Sequence, residues 1–284
     1  MKKTRSFLFL FTASIVLATT FTLSCSSDEP DDNNPGGGGY TGPYETPITI
    51  NGQTYKTVKI GTQIWMAENL NYAVAESKCF GEGSPVLVDY DEENDIGITK
   101  TLSPAEVQTN CNKYGRLYDW STAMGLPSSC NENSCSSQIQ PKHKGICPSG
   151  WHIPSNADWD KLLLYVDNEN GGDGEVQSYY NNPVYFSSTA GRYLKATSGW
   201  DPYEGIENFD TYGFSALPGG YGNIGGYGNV GINFLPVGVY GRWWSASEED
   251  VRDSHIRRMR NDREYVAGGT HGKYYLLSVR CVKD

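Results

Sequence analysis

The stretch Cys147-Pro-Ser-Gly-Trp-His-Ile-Pro-Ser-Asn-Ala-Asp-Trp-Asp-Lys-Leu-Leu-Leu-Tyr-Val166 reads as a turn, a short extended segment and an amphipathic helix in direct succession. Ser155 follows Pro154 and precedes Asp158 by three residues, so its hydroxyl can cap the first free amides while the carboxylate faces the positive end of the helix dipole. Trp159, Leu162, Leu163 and Val166 recur at helical spacing on one side, with Asp160 and Lys161 on the other, as in a helix lying on a core. The run from Asn168 to Gly172 ends it.

Outward from this stretch, further motifs follow in order: Val58-Lys-Ile-Gly-Thr-Gln-Ile-Trp-Met-Ala-Glu-Asn-Leu-Asn-Tyr72, Tyr114-Gly-Arg-Leu-Tyr-Asp-Trp120, Tyr212-Gly-Phe-Ser-Ala-Leu-Pro-Gly-Gly220, Gly241-Arg-Trp-Trp-Ser245 and Ser278-Val-Arg-Cys-Val-Lys-Asp284. With Cys147-Pro-Ser-Gly-Trp-His-Ile-Pro-Ser155 they make residues 48–284 resemble the Fibrobacter succinogenes major paralogous domain, a family of bacterial surface and secreted proteins. The resemblance implies a single α+β domain of C-type lectin-like or formylglycine-generating-enzyme-like architecture, with short antiparallel strands, few helices and long loops. It implies no established activity, and fold alone would not supply one. The final segment, Tyr274–Val282, has period-two character and reads as a closing strand.

Upstream, Lys2, Lys3 and Arg5 precede the mostly apolar run Phe7–Leu23, the pattern of an export signal over residues 1–24. Thr22-Leu-Ser-Cys25 resembles a bacterial lipobox, which would leave Cys25 acylated, palmitate included; ordinary cleavage with Cys25 free is the alternative. Ser26-Ser-Asp-Glu29 resembles the acidic signal that sends bacterial lipoproteins to the outer face of the outer membrane. Residues 25–47 hold almost nothing apolar and include four consecutive glycines, so they read as a flexible tether spanning roughly 25 Å. Ile48 and Ile50 then flank Asn51-Gly52, a two-residue hairpin signal.

The chain carries a formal charge of -10, and loss of Lys2, Lys3 and Arg5 with the signal takes it to -13. Such acidity argues against nucleic acid, and against adhesion to anionic lipid through a basic patch, so membrane attachment is expected through the lipid anchor. Of seven cysteines, the lipobox takes one and leaves Cys79, Cys111, Cys130, Cys135, Cys147 and Cys281. Spacing leaves every pairing open; chain order and the resemblance together favour Cys79 with Cys111, Cys130 with Cys135, and Cys147 with Cys281. With no C-x-x-C pair, neither zinc nor a thioredoxin-type site is expected.

Several chemical readings lose their footing. Asp89, Asp91 and Glu93 imitate an EF-hand opening, but Asn94 and Lys100 stand where glycine and glutamate belong, so residues 89–95 read as a solvated acidic loop. Gly220-Tyr-Gly-Asn-Ile-Gly225 spells a dinucleotide fingerprint without the strand and helix that give it meaning. His143, His152, His255 and His271 do not pair at ligand spacing, and His152 reads as a buried framework residue. No G-x-S-x-G elbow occurs. The formylglycine-type oxidase comparison requires a reactive cysteine pair, and the late region offers only Cys281. The lectin comparison lacks the Glu-Pro-Asn, Gln-Pro-Asp and Trp-Asn-Asp signatures of calcium-dependent sugar sites. No cofactor, metal or catalytic residue is therefore expected.

Aromatic residues remain: with 7 Trp, 20 Tyr and 9 Phe, some are expected at the surface. Trp200, Tyr203, Tyr221 and Tyr227 lie beside glycines and are the expected exposed, ligand-binding rings, able to stack on sugar faces. Against this, glycine–aromatic loops also pack on themselves. Arg252, His255, Arg257, Arg258, Arg260 and Arg263 could read sulfate, carboxylate or uronate groups, although Glu248, Glu249, Asp250, Asp253, Asp262 and Glu264 flank them and favour exposed ion pairs. The expectation is a non-catalytic binding or adhesion module, lipid-anchored at the cell exterior, taking polysaccharide or a surface protein. The alternatives are a formylglycine-generating-type oxidase and a structural subunit of a surface assembly.

Overall fold

The computed structural model describes residues 44–91, 96–179, 182–224 and 232–284. The expected export signal, Cys25, most of the expected tether, residues 92–95 of the expected acidic loop and Tyr227 lie outside the described residues.

Strands β1 (Tyr44–Ile50) and β2 (Gln53–Ile60) form an antiparallel hairpin. Its turn residues Asn51 and Gly52 have φ of 48° and 83°, the left-handed pair that matches the twist of the strands they join. Residues 44–47 of the expected tether thus belong to the domain, where the Thr57 hydroxyl donates to the Thr46 carbonyl at 2.9 Å. Strand β3 (Gln63–Met66) pairs with β2. The excursion after it is a further hairpin, β4 (Val86–Asp91) and β5 (Ile96–Lys100). Asp89 and Asp91 therefore stand on a strand, because β-branched and apolar residues such as Val86, Val88 and Ile98 favour a paired, pleated backbone over an open loop.

Helix α1 (Pro104–Tyr114) begins with a capping box: Ser103 N donates to the Glu106 carboxylate at 2.8 Å and Glu106 N to the Ser103 hydroxyl at 3.3 Å. The short α2 (Trp120–Met124) is capped by Asp119. Then comes the stretch that decides the fold, β6 (Trp151–His152) and α3 (Asn156–Asn170). Ser155 and Asp158 form the expected capping box, and Gly171 ends the helix at φ 67°, a conformation open to glycine at little cost. Trp159, Leu162, Leu163 and Val166 are fully buried. Trp159 meets Trp65 at 4.9 Å, Phe214 at 6.2 Å and Trp243 at 6.4 Å between ring centroids. Each such side chain contributes roughly 1.5–3 kcal/mol of burial, so truncating Trp159 would break the packing beneath the helix.

The remaining elements are the hairpin β7 (Glu175–Tyr179) and β8 (Asn182–Phe186), α4 (Ala190–Leu194), β9 (Tyr221–Ile224), β10 (Ile232–Leu235), β11 (Tyr240–Glu248), β12 (Asp253–Arg260), β13 (Ala267–Gly272) and β14 (Val282–Lys283). Pairing gives sheets of order β1-β2-β3-β14-β6, β5-β4-β10-β9 and β11-β12-β13, beside the β7-β8 hairpin. Among the described residues these named strands pair antiparallel except β4 with β10. The protein is a sheet-rich α+β domain.

The segment Tyr274–Val282 is not the single closing strand that its periodicity suggests. Its residues pair in turn with different neighbours, Leu276 with Gly222, Leu277 with Tyr118 and Ser278 with Trp243, before β14 joins β3 and β6. It threads between sheets, so no single ladder can form. Disulfides join Cys79 to Cys111, Cys130 to Cys135 and Cys147 to Cys281. The last spans 134 residues of sequence and ties the entry of α3 to the terminal strand; in the chain-entropy account a loop of that length is worth about 5 kcal/mol.

Candidate functional site

Alternation along β11 and β12 sets the site. Tyr240 stands opposite Arg260, Arg242 opposite Arg258 and Trp244 opposite Ile256, so these residues share one face of the sheet. On β13, His271 lies opposite Ser254 and joins the same face. Two arginines are therefore cross-strand neighbours, with Cβ atoms about 5 Å apart by strand geometry.

Aromatic rings pack against Arg242 and against Arg260 on this face. The Arg242 guanidinium lies 3.6 Å from the Tyr221 ring centroid and 5.5 Å from that of Tyr240, and Arg260 lies 5.4 Å from Tyr240. His271 stacks on Tyr275 at 4.6 Å and on Tyr221 at 6.0 Å. Tyr274, which is exposed, contacts Tyr275 at 5.3 Å and lines a cavity of about 580 Å³ with Ser128, Ser129, Asn131 and Glu132.

The electrostatics of this face are one-sided. Arg242 bonds the ring Nε2 of His271, which must accept and so leaves the ring proton on Nδ1. Burial, and then the cations of Arg242 and Arg258, push His271 down to about 3, so it stays neutral at ordinary pH. Burial, and the like charge of Arg258 after it, also lower Arg242, with the Tyr221 ring opposing. The Nε atoms of Arg242 and Arg258 are both buried without a hydrogen-bond partner. Among the described residues neither arginine has a carboxylate within ion-pair distance.

Elsewhere the buried cations have found oxygen partners, although the Nε atoms of Arg257 and Arg280 are unpartnered too. Arg257 bonds Asp160 at 2.5 Å and Asn156 Oδ1 at 3.0 Å. Lys273 pairs with Glu248 at 2.5 Å. Lys195 donates to the carbonyls of Arg263 at 2.7 Å and Arg260 at 3.1 Å; burial lowers it to about 8, against the pull of Glu264 and Asp262. Arg280 is held by Asn69 Oδ1 at 2.9 Å and the Phe214 and Ser215 carbonyls.

The expected arginine cluster therefore divides. Arg260 and Arg263 share Asp262 at 2.9 Å and 3.3 Å, and His255 meets Glu249 at 2.8 Å. The picture of exposed strand pairs is corrected for Arg257, which is fully buried and whose partner Asp160 comes from α3. Arg258 has none of these partners.

This geometry accompanies a family match: the model of the Fibrobacter succinogenes major domain fits residues 58–283. The chain belongs to that family. No curated protein and no solved structure matches it. Within this Fibrobacter succinogenes major domain, the expected exposed rings fare unequally. Tyr203 is exposed at 52%. Trp200 and Tyr221 are corrected: they are 9% and 7% exposed, Trp200 because its indole N–H donates to the Ala216 carbonyl at 2.9 Å with Lys195 over the ring, Tyr221 because Arg242 and His271 pack on it. Tyr227 lies outside the described residues. His152 is buried, bonded to Asp284 at 2.8 Å and Asp158 at 3.3 Å, the framework position expected of it.

Sequence reasoning missed Arg242, Tyr240, His271 and Tyr275. A signal existed for two of them: Tyr240 and Arg242 alternate just as Arg258 and Arg260 do, and one antiparallel pairing brings the four together.

Proposed function

We propose that this Fibrobacter succinogenes major domain is a non-catalytic saccharide-binding module, displayed outside the cell by an acylated Cys25 and the tether that follows, on a fold of C-type lectin-like kind. The observation that carries the reading is the face of Tyr240, Arg242, Arg258, His271 and Tyr275, where rings and guanidinium groups gather without the carboxylates that satisfy the ion-paired cations elsewhere. Rings offer flat apolar surfaces to sugar faces, and Ser129 and Asn131 beside Tyr274 offer partners to hydroxyls. The oxidase alternative is weakened because Cys281 is bonded to Cys147, leaving its late region without a thiol.

The test is a glycan-array screen of the full chain, with and without calcium, beside Tyr274→Ala. Saccharide binding that persists without calcium and weakens several-fold in the variant supports the reading, because a lost stacking contact is worth about 1 kcal/mol. Binding to one stoichiometric protein with no response to any glycan would replace it with the assembly reading. Protease treatment of intact cells tests display: a domain left uncut would contradict it.

A further inference from the structure

We infer that the Arg242–Arg258 pair is an anion-binding subsite, and that the saccharide recognised is an acidic one whose sulfate ester or uronate carboxylate sits between the two guanidinium groups. The inference rests on the binding reading above and narrows it.

Three observations converge. Two arginines are cross-strand partners on one sheet face, and like charges directly opposite each other repel unless something lies between them. The Nε donors of both are buried and unpartnered, as is that of Arg257. But Arg257, one residue along the same strand, has found the carboxylate of Asp160, while among the described residues neither Arg242 nor Arg258 has one in ion-pair reach. The groups packed on Arg242 are Tyr221, Tyr240 and neutral His271, which hold its guanidinium plane without neutralising it. Planar guanidinium groups match the oxygens of carboxylate and sulfate.

The charge of the whole molecule sharpens the point. At -10 it repels polyanions in general, so an acidic polysaccharide that binds must do so through a local positive site. Tyr240 and Tyr275, half-buried at the edge of the pair, would carry the sugar ring attached to that anionic group.

The decisive experiment measures binding of the full chain to matched polymers: dextran against dextran sulfate, and polygalacturonate against its methyl ester. The expected result is binding to one or both acidic members, with their neutral counterparts at least about tenfold weaker, as for loss of a charge-assisted contact. Dextran sulfate alone would identify a sulfate ester as the ligand group, polygalacturonate alone a carboxylate. Arg258→Gln should weaken the acidic polymer about tenfold or more, while Arg252→Ala, at an exposed arginine off the cluster, should not. Inorganic sulfate should displace the acidic polymer from the unaltered protein where chloride at equal ionic strength does not, a readout independent of how the variant folds.

Equal binding of neutral and acidic members, insensitive to Arg258→Gln, would overturn the anion inference and leave the saccharide reading standing. Acidic binding lost equally in Arg252→Ala and in chloride would reduce it to general charge attraction, which also overturns the subsite. Binding to no polymer, with no response on the glycan array, would overturn both.

Discussion

On one face of the β11–β12–β13 sheet, Arg257 is fully buried and held by Asp160; on the other, one residue along the same strand, Arg258 lies beside Arg242 with no described carboxylate in reach. The Arg257 face packs into the core under α3, where Trp243 and Met259 meet Trp159 and Val166. The Arg258 face reaches a second core through Trp244 and Ile256, and beside that core it carries tyrosine rings and a neutral imidazole. A strand alternates its side chains, so it can serve a core and a site at once. A cation answered by a carboxylate of its own chain closes a packing arrangement, whereas one left without it is open to an anionic ligand.

The sharpest way to break the comparison is to make the Arg257 face resemble the Arg258 face. Asp160→Ala leaves Arg257 buried with only Asn156 and carbonyl partners. Losing one member of a buried pair costs about 3–5 kcal/mol, and because Asp160 is 31% exposed the expected loss is near the lower end, about 3 kcal/mol. Urea unfolding checks it. A loss below about 0.5 kcal/mol would mean that Arg257 is satisfied without Asp160, and the contrast between the faces would vanish.

The contrast also explains what could be read ahead of the fold. Helix α3, its capping box and the Asn51-Gly52 hairpin were legible because each signal lies within a few residues of its partner. The arginine cluster was not, because sorting it needs Asp160, which is 97 residues from Arg257 in sequence. Trp200 and Tyr221 misled for the same reason. A ring beside a glycine resembles an exposed one until another segment covers it, and Lys195 and Arg242 do the covering. Two-residue periodicity places a side chain on a face, but only the tertiary packing says what lies opposite.

A smaller effect is expected where a histidine is answered from two sides. Burial opposes the charged form of His152, but its bonds to Asp158 and Asp284 outweigh that and raise it above the usual imidazole value. Burial likewise works against the Asp158 carboxylate, and its bonds to His152 and Ser155 win and hold it below the usual carboxylate range. The sign follows: a raised histidine contributes fully below its unfolded value of about 6.5, and the contribution is lost as pH rises through the folded value. The lowered Asp158 contributes above the carboxylate range and loses its share only as pH falls through its own folded value. His152→Gln should therefore cost about 1 kcal/mol at about pH 5.5 and less at about pH 8.5. Urea midpoints at both values test this; a difference that does not change with pH would show that His152 carries no charge in the fold.

The smallest expected effect on stability separates the two arginines most directly. Arg258→Met removes a cation whose Nε is buried without a partner and keeps a long apolar stem over the neighbouring sheet face. Because no described carboxylate is left behind, the substitution strands no opposite charge, and it relieves the repulsion with Arg242 that its position across the strand pair imposes. Stability should stay level or rise by up to about 1 kcal/mol, where Arg257→Met should lower it by leaving Asp160 without its cation. Thermal and urea unfolding of the two neighbouring variants decide the matter. If Arg258→Met costs as much as Arg257→Met, Arg258 is structural after all and the open face loses its meaning as a site. If the costs diverge as expected, adjacent residues on one strand have been separated into one that holds the fold and one held in readiness by it.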